Sequence, residues 1–455
     1  MPALRELEAR LPAGRIVTDP GVVAGFRRDE ADLVPDGEPL ALVAPRDTEE
    51  VAAVLAWAYA GRVPVVPRGA GTGLAGGATA VEGCLLLSLA KMTRIREIAP
   101  EDQLAVVEAG VINADLGRAV AAHDLMYAPD PSSFEISTIG GNLATNAGGL
   151  RCVKYGVTRE SVRGLEVVLA DGRVIRTGGR TVKNVAGYDL TSLFVGSEGT
   201  LGVITAATLR LRPRPSSPPA TFVAAFDTLP AAGEAVAGIV RAGLTPTVLE
   251  LLDRTTIRAV DDYRPMGLDR DAAALLIGQA EAATGGDDPV GAMEKCCREA
   301  GAPFTMRSSD PQEAEMLLEA RRSVHWAVAR LGETLIEDVG VPRSRLPDML
   351  AALEDIGSRH GVLVPTVAHA GDGNLHPVLV LPGPDEESRA RVMRAAEEIF
   401  RTALRMGGTI TGEHGVGALK RPWLAEELGA EQIAVQRAIK TALDPAGILN
   451  PGKVL

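Results

Sequence analysis

Val63-Pro64-Val65-Val66-Pro67-Arg68-Gly69-Ala70-Gly71-Thr72-Gly73-Leu74-Ala75-Gly76-Gly77 is the stretch on which the fold turns. From Gly71 to Gly76 it spells G-x-G-x-x-G, and the apolar run Val63–Pro67 supplies the strand that should precede a dinucleotide site. The helix that should follow is missing. Gly77 comes next, and Ala78-Thr79-Ala80-Val81-Glu82-Gly83 leads at once into a second apolar run, Cys84–Leu89. That gap is too short for a crossover helix, so a Rossmann NAD site is rejected. The loop keeps a chemistry of its own. Arg68, Gly69, Ala70, Gly71, Thr72 and Gly73 offer successive backbone N–H groups with little side chain in the way. Such a concave nest binds phosphate oxygens without a helix. A flexible turn would account for the glycines alone, but less well for Arg68 beside them in an apolar context.

Two more Gly-rich segments follow. The second runs Pro129-Asp130-Pro131-Ser132-Ser133, then Thr138-Ile139-Gly140-Gly141-Asn142-Leu143-Ala144-Thr145-Asn146-Ala147-Gly148-Gly149. The third is Gly196-Ser197-Glu198-Gly199-Thr200-Leu201-Gly202-Val203-Ile204. Taken singly, one is tight helix packing and the other a turn into a strand. Three within one domain point to a long, phosphate-bearing ligand lying across it.

Around these segments, strand and helix alternate. Leu40–Ala44 reads as strand, Thr48–Tyr59 as helix, Val63–Pro67, Cys84–Leu89 and Leu104–Glu108 as strands, and Ala114–His123 as helix. Leu165–Leu169 and Arg173–Thr177 form a hairpin turning at Asp171-Gly172, and Gly199–Leu211 gives a last strand. Arg212-Pro213-Arg214-Pro215-Ser216-Ser217-Pro218-Pro219 is a linker, because its prolines cannot continue a helix or a central strand. The chain is therefore divided into a helical lead-in (1–37), a ligand-binding domain (38–215) and a C-terminal domain (216–455). In the last, Thr221–Phe226, Thr247–Leu251 and Ala273–Ile277 read as strands, with helices at Ala231–Arg241 and Val290–Ala300. Pro311–Leu331 is expected as one long helix carrying Arg321 and Arg322, and another runs from Glu386 to Met406. Separate strand-and-helix sets imply an α+β class rather than one doubly wound sheet.

The C-terminal domain also holds His369-Ala370-Gly371-Asp372-Gly373-Asn374-Leu375-His376 between the apolar runs Val362–Val367 and Val378–Leu381. Asp-Gly between such runs is a strong hairpin signal. A two-residue turn at Asp372-Gly373 sets His369 directly opposite His376, with Cβ atoms about 4.5–5.5 Å apart. Two imidazoles so placed can grip a metal ion, and a catalytic site wants a third ligand plus an open position. Glu413, in Gly412-Glu413-His414-Gly415, is the candidate third ligand, which leaves His414 as a base. A chance pair of structural histidines is the plainer alternative. Asn374, on the expected turn, is either a turn residue or a contact to substrate or metal.

The 455 residues carry a net charge of −12 and 46% hydrophobic residues. That is globular composition, with nucleic acid disfavoured as a partner. Met1–Arg10 lacks the apolar core of a signal peptide, and the sequence holds no uninterrupted transmembrane run. Cys84, Cys152, Cys296 and Cys297 show neither C-x-x-C spacing nor an iron–sulfur run. The expectation is a cytoplasmic protein with reduced thiols.

Together, Pro67–Gly77, the Pro129–Ser133 to Ile139–Asn142 stretch, and Gly187-Tyr188-Asp189-Leu190 through Gly202 resemble the FAD-linked oxidases of the vanillyl-alcohol oxidase type. His369–His376, Gly412–Gly415 and Asn450-Pro451-Gly452-Lys453 narrow the likeness to the D-2-hydroxy-acid dehydrogenases, among them glycolate oxidase catalytic subunits, D-lactate dehydrogenases and D-2-hydroxyglutarate dehydrogenases. The resemblance implies a two-subdomain FAD-binding domain followed by an α+β cap domain. It implies FAD against Arg68–Gly73, then Pro131, Thr138, Gly141, Asn142, Thr145 and Gly148, and then Glu198, Gly199 and Ile204. Some relatives tether the flavin through a histidine in the first loop; none stands there in this chain, so FAD is expected to be non-covalent. The resemblance further implies a divalent ion, zinc or manganese, on His369, His376 and Glu413, with His414 as base and Arg321 for the substrate carboxylate. Without it, Arg321 and Arg322 read as an exposed basic helix face.

Some D-2-hydroxyglutarate enzymes carry a lysine just before the segment matching Asp338. Here Ile336-Glu337-Asp338 stands instead, which favours a smaller acid such as glycolate or D-lactate. With no iron–sulfur motif in the chain, the resemblance calls for an external electron acceptor: an iron–sulfur subunit, a quinone, an electron-transfer flavoprotein or oxygen. A membrane-side acceptor stays open. D-2-hydroxyglutarate oxidation, a non-catalytic FAD-binding relay and a metal-dependent hydrolase are the rival expectations.

Overall fold

The computed structural model describes residues 4–281 and 287–455. Its chain divides into two compact units, the first made of the chain up to Gly148 with Gly156–Arg214 and Glu413–Leu455, the second of Gly149–Tyr155 and Pro215–Gly412.

The first unit holds two sheets. In the smaller, the strand order is Ile16–Val17, Ala41–Val43, Leu85–Ser88, Val65–Arg68. Ala41–Val43 and Val65–Arg68 both run parallel to Leu85–Ser88. The helix Thr48–Gly61 makes the first crossover, with Asp47 capping it by accepting from the Glu50 N–H at 2.8 Å. From Val65–Arg68 to Leu85–Ser88 the chain crosses without a helix, through the glycine loop itself. Trp57, Leu55, Leu85 and Leu87 pack the core beneath. The larger sheet is antiparallel throughout, in the order Ile95–Ala99, Leu104–Glu108, Val203–Arg210, Val162–Val168, Val174–Gly178. Its core is Phe194 with Leu116, Leu143, Leu165 and Leu209.

The expected C-terminal domain runs over 216–455; within it, Glu413–Leu455 packs with the first unit. Leu449 bridges to Val65 in parallel, and the Asn450 N–H donates to Val65 O at 2.8 Å. Ala418 and Leu419 both donate to Ala75 O, at 2.9 and 3.1 Å. The polar backbone of the glycine loop needs partners, and the returning chain supplies them.

The second unit is built on an eight-stranded sheet in the order Phe304–Ser308, Ala220–Phe226, Ala274–Ala280, Val248–Asp253, Thr366–His369, Asn374–Val380, Thr334–Ile336, with Val339–Gly340 also pairing Asn374–Val380. Val248–Asp253, Thr366–His369 and Asn374–Val380 are buried along their whole length, so the histidine hairpin lies in the middle of the sheet. Two expectations need correction here. Pro311–Leu331 breaks at Ser323 into Pro311–Arg322, Val324–Val328 and a 3-10 turn, Ala329–Leu331, with Ser323 Oγ donating to Ala320 O at 2.9 Å. The hairpin turn is also longer than two residues. His369 pairs with Asn374 and Val367 with His376, which leaves Ala370–Gly373 as a four-residue loop. A two-residue type I′ turn needs positive φ at both centres, and only Gly373 (φ +76°) has it. Asn374 therefore starts the strand rather than sitting on the turn. Among the described residues no helix is long and apolar enough to cross a membrane.

The C-terminal return is testable. Gly417 has φ +52°, and a Cβ there would lie 1.9 Å from Ala75 O; Gly447 has φ +66° with open space around it. Both Gly→Ala changes cost about 1–3 kcal/mol of backbone strain, and the collision adds to it at Gly417 alone. In urea unfolding, Gly417→Ala should lower the midpoint well beyond Gly447→Ala. Equal midpoints would refute the docking of residues 417–419 on Ala75.

Candidate active site

In the first unit the three Gly-rich segments meet. Arg68 is 7% exposed, and its Nη1 donates to Arg28 O at 2.7 Å. Its guanidinium folds under its own loop, where a Cβ on Gly71 (φ +84°) would stand 2.0 Å from Nη2. Burial is the first cause that pulls this guanidinium below its ordinary pKa, against Asp29 and Glu30. Arg68 thus shapes the loop and places positive charge beneath Gly69–Gly73. A Cβ on Gly69 would meet Thr138 Oγ1 at 2.3 Å, so the first loop lies against the start of the second segment. There Thr138 caps the helix Ile139–Thr145 by accepting from the Gly141 N–H at 3.2 Å, and Thr145 Oγ1 donates to Gly141 O. Asn142 is 4% exposed, and its Nδ2 has no hydrogen-bond partner among the described residues. At the far end, a Cβ on Gly148 would lie 2.0 Å from Glu413 Oε2. Pro131 belongs to a local turn closed by Phe134 N–H to Pro131 O at 2.8 Å.

The third segment closes the cradle. Gly199 (φ +70°) sits against Pro67, and Gly77 sits against the Glu198 carboxylate. Glu198 uses its side chain on the returning C-terminal chain, accepting from the Val416 N–H at 2.7 Å and the Gly417 N–H at 2.9 Å. Asn450 Nδ2 donates to Glu198 O and to Gly77 O, both at 2.8 Å. Ile204 is core, beside a register shift that frees Thr205 O to accept from the Ala109 N–H. Close backbone approaches that exclude a Cβ, a buried guanidinium beneath them and an amide donor without a partner among the described residues fit a dinucleotide-like cofactor. Glu413 and His414 share this unit, with His414 Nε2 3.9 Å from Glu413 Oε1.

In the second unit His369 and His376 come together, but diagonally rather than face to face. Sliding the register by two residues keeps both on one side of the sheet, because side chains alternate with period two. Their ring centroids are 5.1 Å apart at 87°, and both rings are buried. Two carboxylates stand behind them. Glu250 Oε1 lies 2.8 Å from His369 Nδ1, and Glu250 Oε2 accepts from Arg321 Nε at 2.6 Å. Asp338 Oδ1 lies 3.8 Å from His376 Nδ1 and accepts from Asn374 Nδ2 at 2.6 Å, while Oδ2 accepts from Thr411 Oγ1 at 2.8 Å. Asn374 Nδ2 also donates to Val339 O, so its amide ties the strand to Asp338. Arg321 is 4% exposed, not part of an open basic face.

Glu250 was missed at the level of sequence, although a signal existed. A lone carboxylate inside Val248-Leu249-Glu250-Leu251-Leu252 has to be paired once the strand is buried.

The model of the FAD linked oxidases, C-terminal domain, matches residues 217–454, and that of an FAD binding domain matches residues 39–178. The chain belongs to the FAD-linked oxidases. It is 46% identical to "Glycolate oxidase subunit GlcD" of Bacillus subtilis over 418 residues, 91% of this chain and 89% of the relative. It is 36% identical to "D-lactate dehydrogenase" of Archaeoglobus fulgidus over 424 residues, 92% of each. Among solved structures, p-cresol methylhydroxylase with substrate bound superposes with a TM-score of 0.80 at 18% identity, covering 99% of this chain and 96% of that one. The fold is thus of the vanillyl-alcohol oxidase type, and the protein is an FAD-dependent oxidoreductase.

Glu198 also makes stability depend on pH. Burial pushes its carboxyl up from 4.5 to about 7, against the pull of the two N–H groups. Between those values the native chain keeps a proton that the unfolded chain has lost, so stability falls as pH rises and levels off above about 7. Asp253, pushed up by burial to about 6, acts in the same direction. In denaturant unfolding from pH 5 to 8, Glu198→Gln should gain on the parent by up to about 3 kcal/mol. A constant difference would refute the raised acid.

Proposed function

We propose that the protein oxidises a small 2-hydroxy acid, glycolate or D-lactate, to the 2-oxo acid, passing the electrons through non-covalent FAD to a separate acceptor. The observation that carries this reading is the buried chain Arg321–Glu250–His369 with His376 beside it. A buried guanidinium tied to the same carboxylate as one of two neighbouring imidazoles suits a substrate bearing a carboxylate and a neighbouring hydroxyl. The names of the relatives support the substrate class. Ile336-Glu337-Asp338, without the lysine that some D-2-hydroxyglutarate enzymes carry just before this segment, supports a small acid.

The residues divide the work as follows. Arg321 keeps two guanidinium nitrogens beyond the Nε given to Glu250, and these pair with the substrate carboxylate and orient it. His369 and His376, with Glu413, are the proposed ligands of a divalent zinc or manganese ion. Glu413 follows Gly412 in the chain, and Gly412 lies against the Asn374 side chain at the head of the His376 strand. Such an ion would lower the pKa of the 2-hydroxyl. His414 takes the hydroxyl proton. FAD held by the glycine cradle would supply the acceptor for the hydride leaving the substrate carbon. Loss of one proton and one hydride balances the conversion to the 2-oxo acid.

Anaerobic addition of D-lactate or glycolate should bleach the oxidised-flavin band of the purified protein. Failure with every small 2-hydroxy acid would reject the reading in favour of a relay or a hydrolase. His414→Ala should keep FAD and slow flavin reduction by about 10²–10⁴-fold; reduction at the parent rate would remove His414 as base. His369→Ala should lose metal and activity together while the flavin spectrum persists.

A further inference from the structure

Glu250 has no catalytic part in the scheme above, yet it joins two of its members. It stands directly opposite His369 on the neighbouring strand, which is why its carboxylate meets the imidazole edge. It is 1% exposed, and both oxygens are engaged, Oε1 with His369 Nδ1 at 2.8 Å and Oε2 with Arg321 Nε at 2.6 Å. A guanidinium Nε can only donate, and a carboxylate can only accept. The hydrogen of a neutral His369 therefore sits on Nδ1, and the lone pair sits on Nε2. We propose that Glu250 is a positioning residue that selects the His369 tautomer able to bind an ion through Nε2, and that it holds Arg321 in the same frame. The ion and the substrate carboxylate are then registered to each other through one buried side chain. This inference rests on the ion-binding reading of the histidine pair.

A residue that merely filled space and neutralised Arg321 would behave differently when replaced. Glu250→Gln preserves shape but offers one accepting and one donating face. Arg321 Nε claims the amide oxygen, so the amide NH₂ faces His369 Nδ1. The ring must then move its hydrogen to Nε2, and that nitrogen can no longer ligate. Glu250→Asp keeps two acceptors and preserves the tautomer, at the cost of reach.

The test is Mn²⁺ binding to the full-length, FAD-loaded protein, followed by the electron paramagnetic resonance of free Mn²⁺. Glu250→Gln should weaken binding by about 10–100-fold, the usual effect of losing such an outer partner. Flavin absorbance should be retained, and Glu250→Asp should lose less. Equal affinity in Glu250→Gln and the parent would overturn the proposal. Should the Gln variant fail to fold, the ¹⁵N shifts of His369 in the unaltered protein decide, and an Nδ1 carrying the lone pair overturns it. A parent protein that takes up no Mn²⁺ while a 2-hydroxy acid still bleaches its flavin would instead refute the ion site itself.

Discussion

A carboxylate with almost no access to water cannot stand alone in the middle of an apolar sheet. Glu250 is such a group, and the second unit is arranged to satisfy it. Removing one partner of a buried pair costs about 3–5 kcal/mol, since the remaining charge is left uncompensated. An exposed pair such as Arg118–Asp115 contributes about 0–1 kcal/mol. The difference explains why the helix Pro311–Arg322 must end with Arg321 turned inward and why His369 must face the same strand position. Arg322, one residue on and rotated by about a third of a turn, pairs with Glu315 instead.

The first unit obeys a constraint of a different kind, the closeness of backbone to backbone. Gly69 against Thr138, Gly199 against Pro67, Gly148 against Glu413 and Gly417 against Ala75 are approaches that a Cβ would prevent. They bring the three Gly-rich segments and the C-terminal return into one cradle. The cradle has amide donors and a buried cation, and few side chains stand in its way. The absence of a helix between Val65–Arg68 and Leu85–Ser88 follows from the same requirement, because a crossover helix would need the length that the glycine loop uses for contact.

Much of this was legible from local patterns. Rejecting a Rossmann site needed only the short gap after Gly76. The histidine pair was placed on one face with the wrong register. The error did no harm to the geometry, because a slip of two residues returns every side chain to its own side. A slip of one would have separated the rings. Other features left no local trace. The C-terminal return depends on Ala75 and Val65, far away in the chain. Arg321 on an acidic, weakly patterned helix looks exposed until a distant Glu250 is set beside it.

By itself, then, the amino-acid order determined many of the strands and helices, the helix-free glycine crossing and the side of the sheet on which the two imidazoles lie, because each rests on φ preferences, chain length or period-two alternation within a few residues. Only the tertiary structure decided that Glu250 would join Arg321 to His369, that Glu198 would hold the backbone of Val416 and Gly417, and that Glu413–Leu455 would complete the first unit. These are pairings of buried polar groups across long stretches of chain. Their partners are chosen by the cost of leaving a donor or acceptor dry, a cost that exists only once the surrounding core has closed.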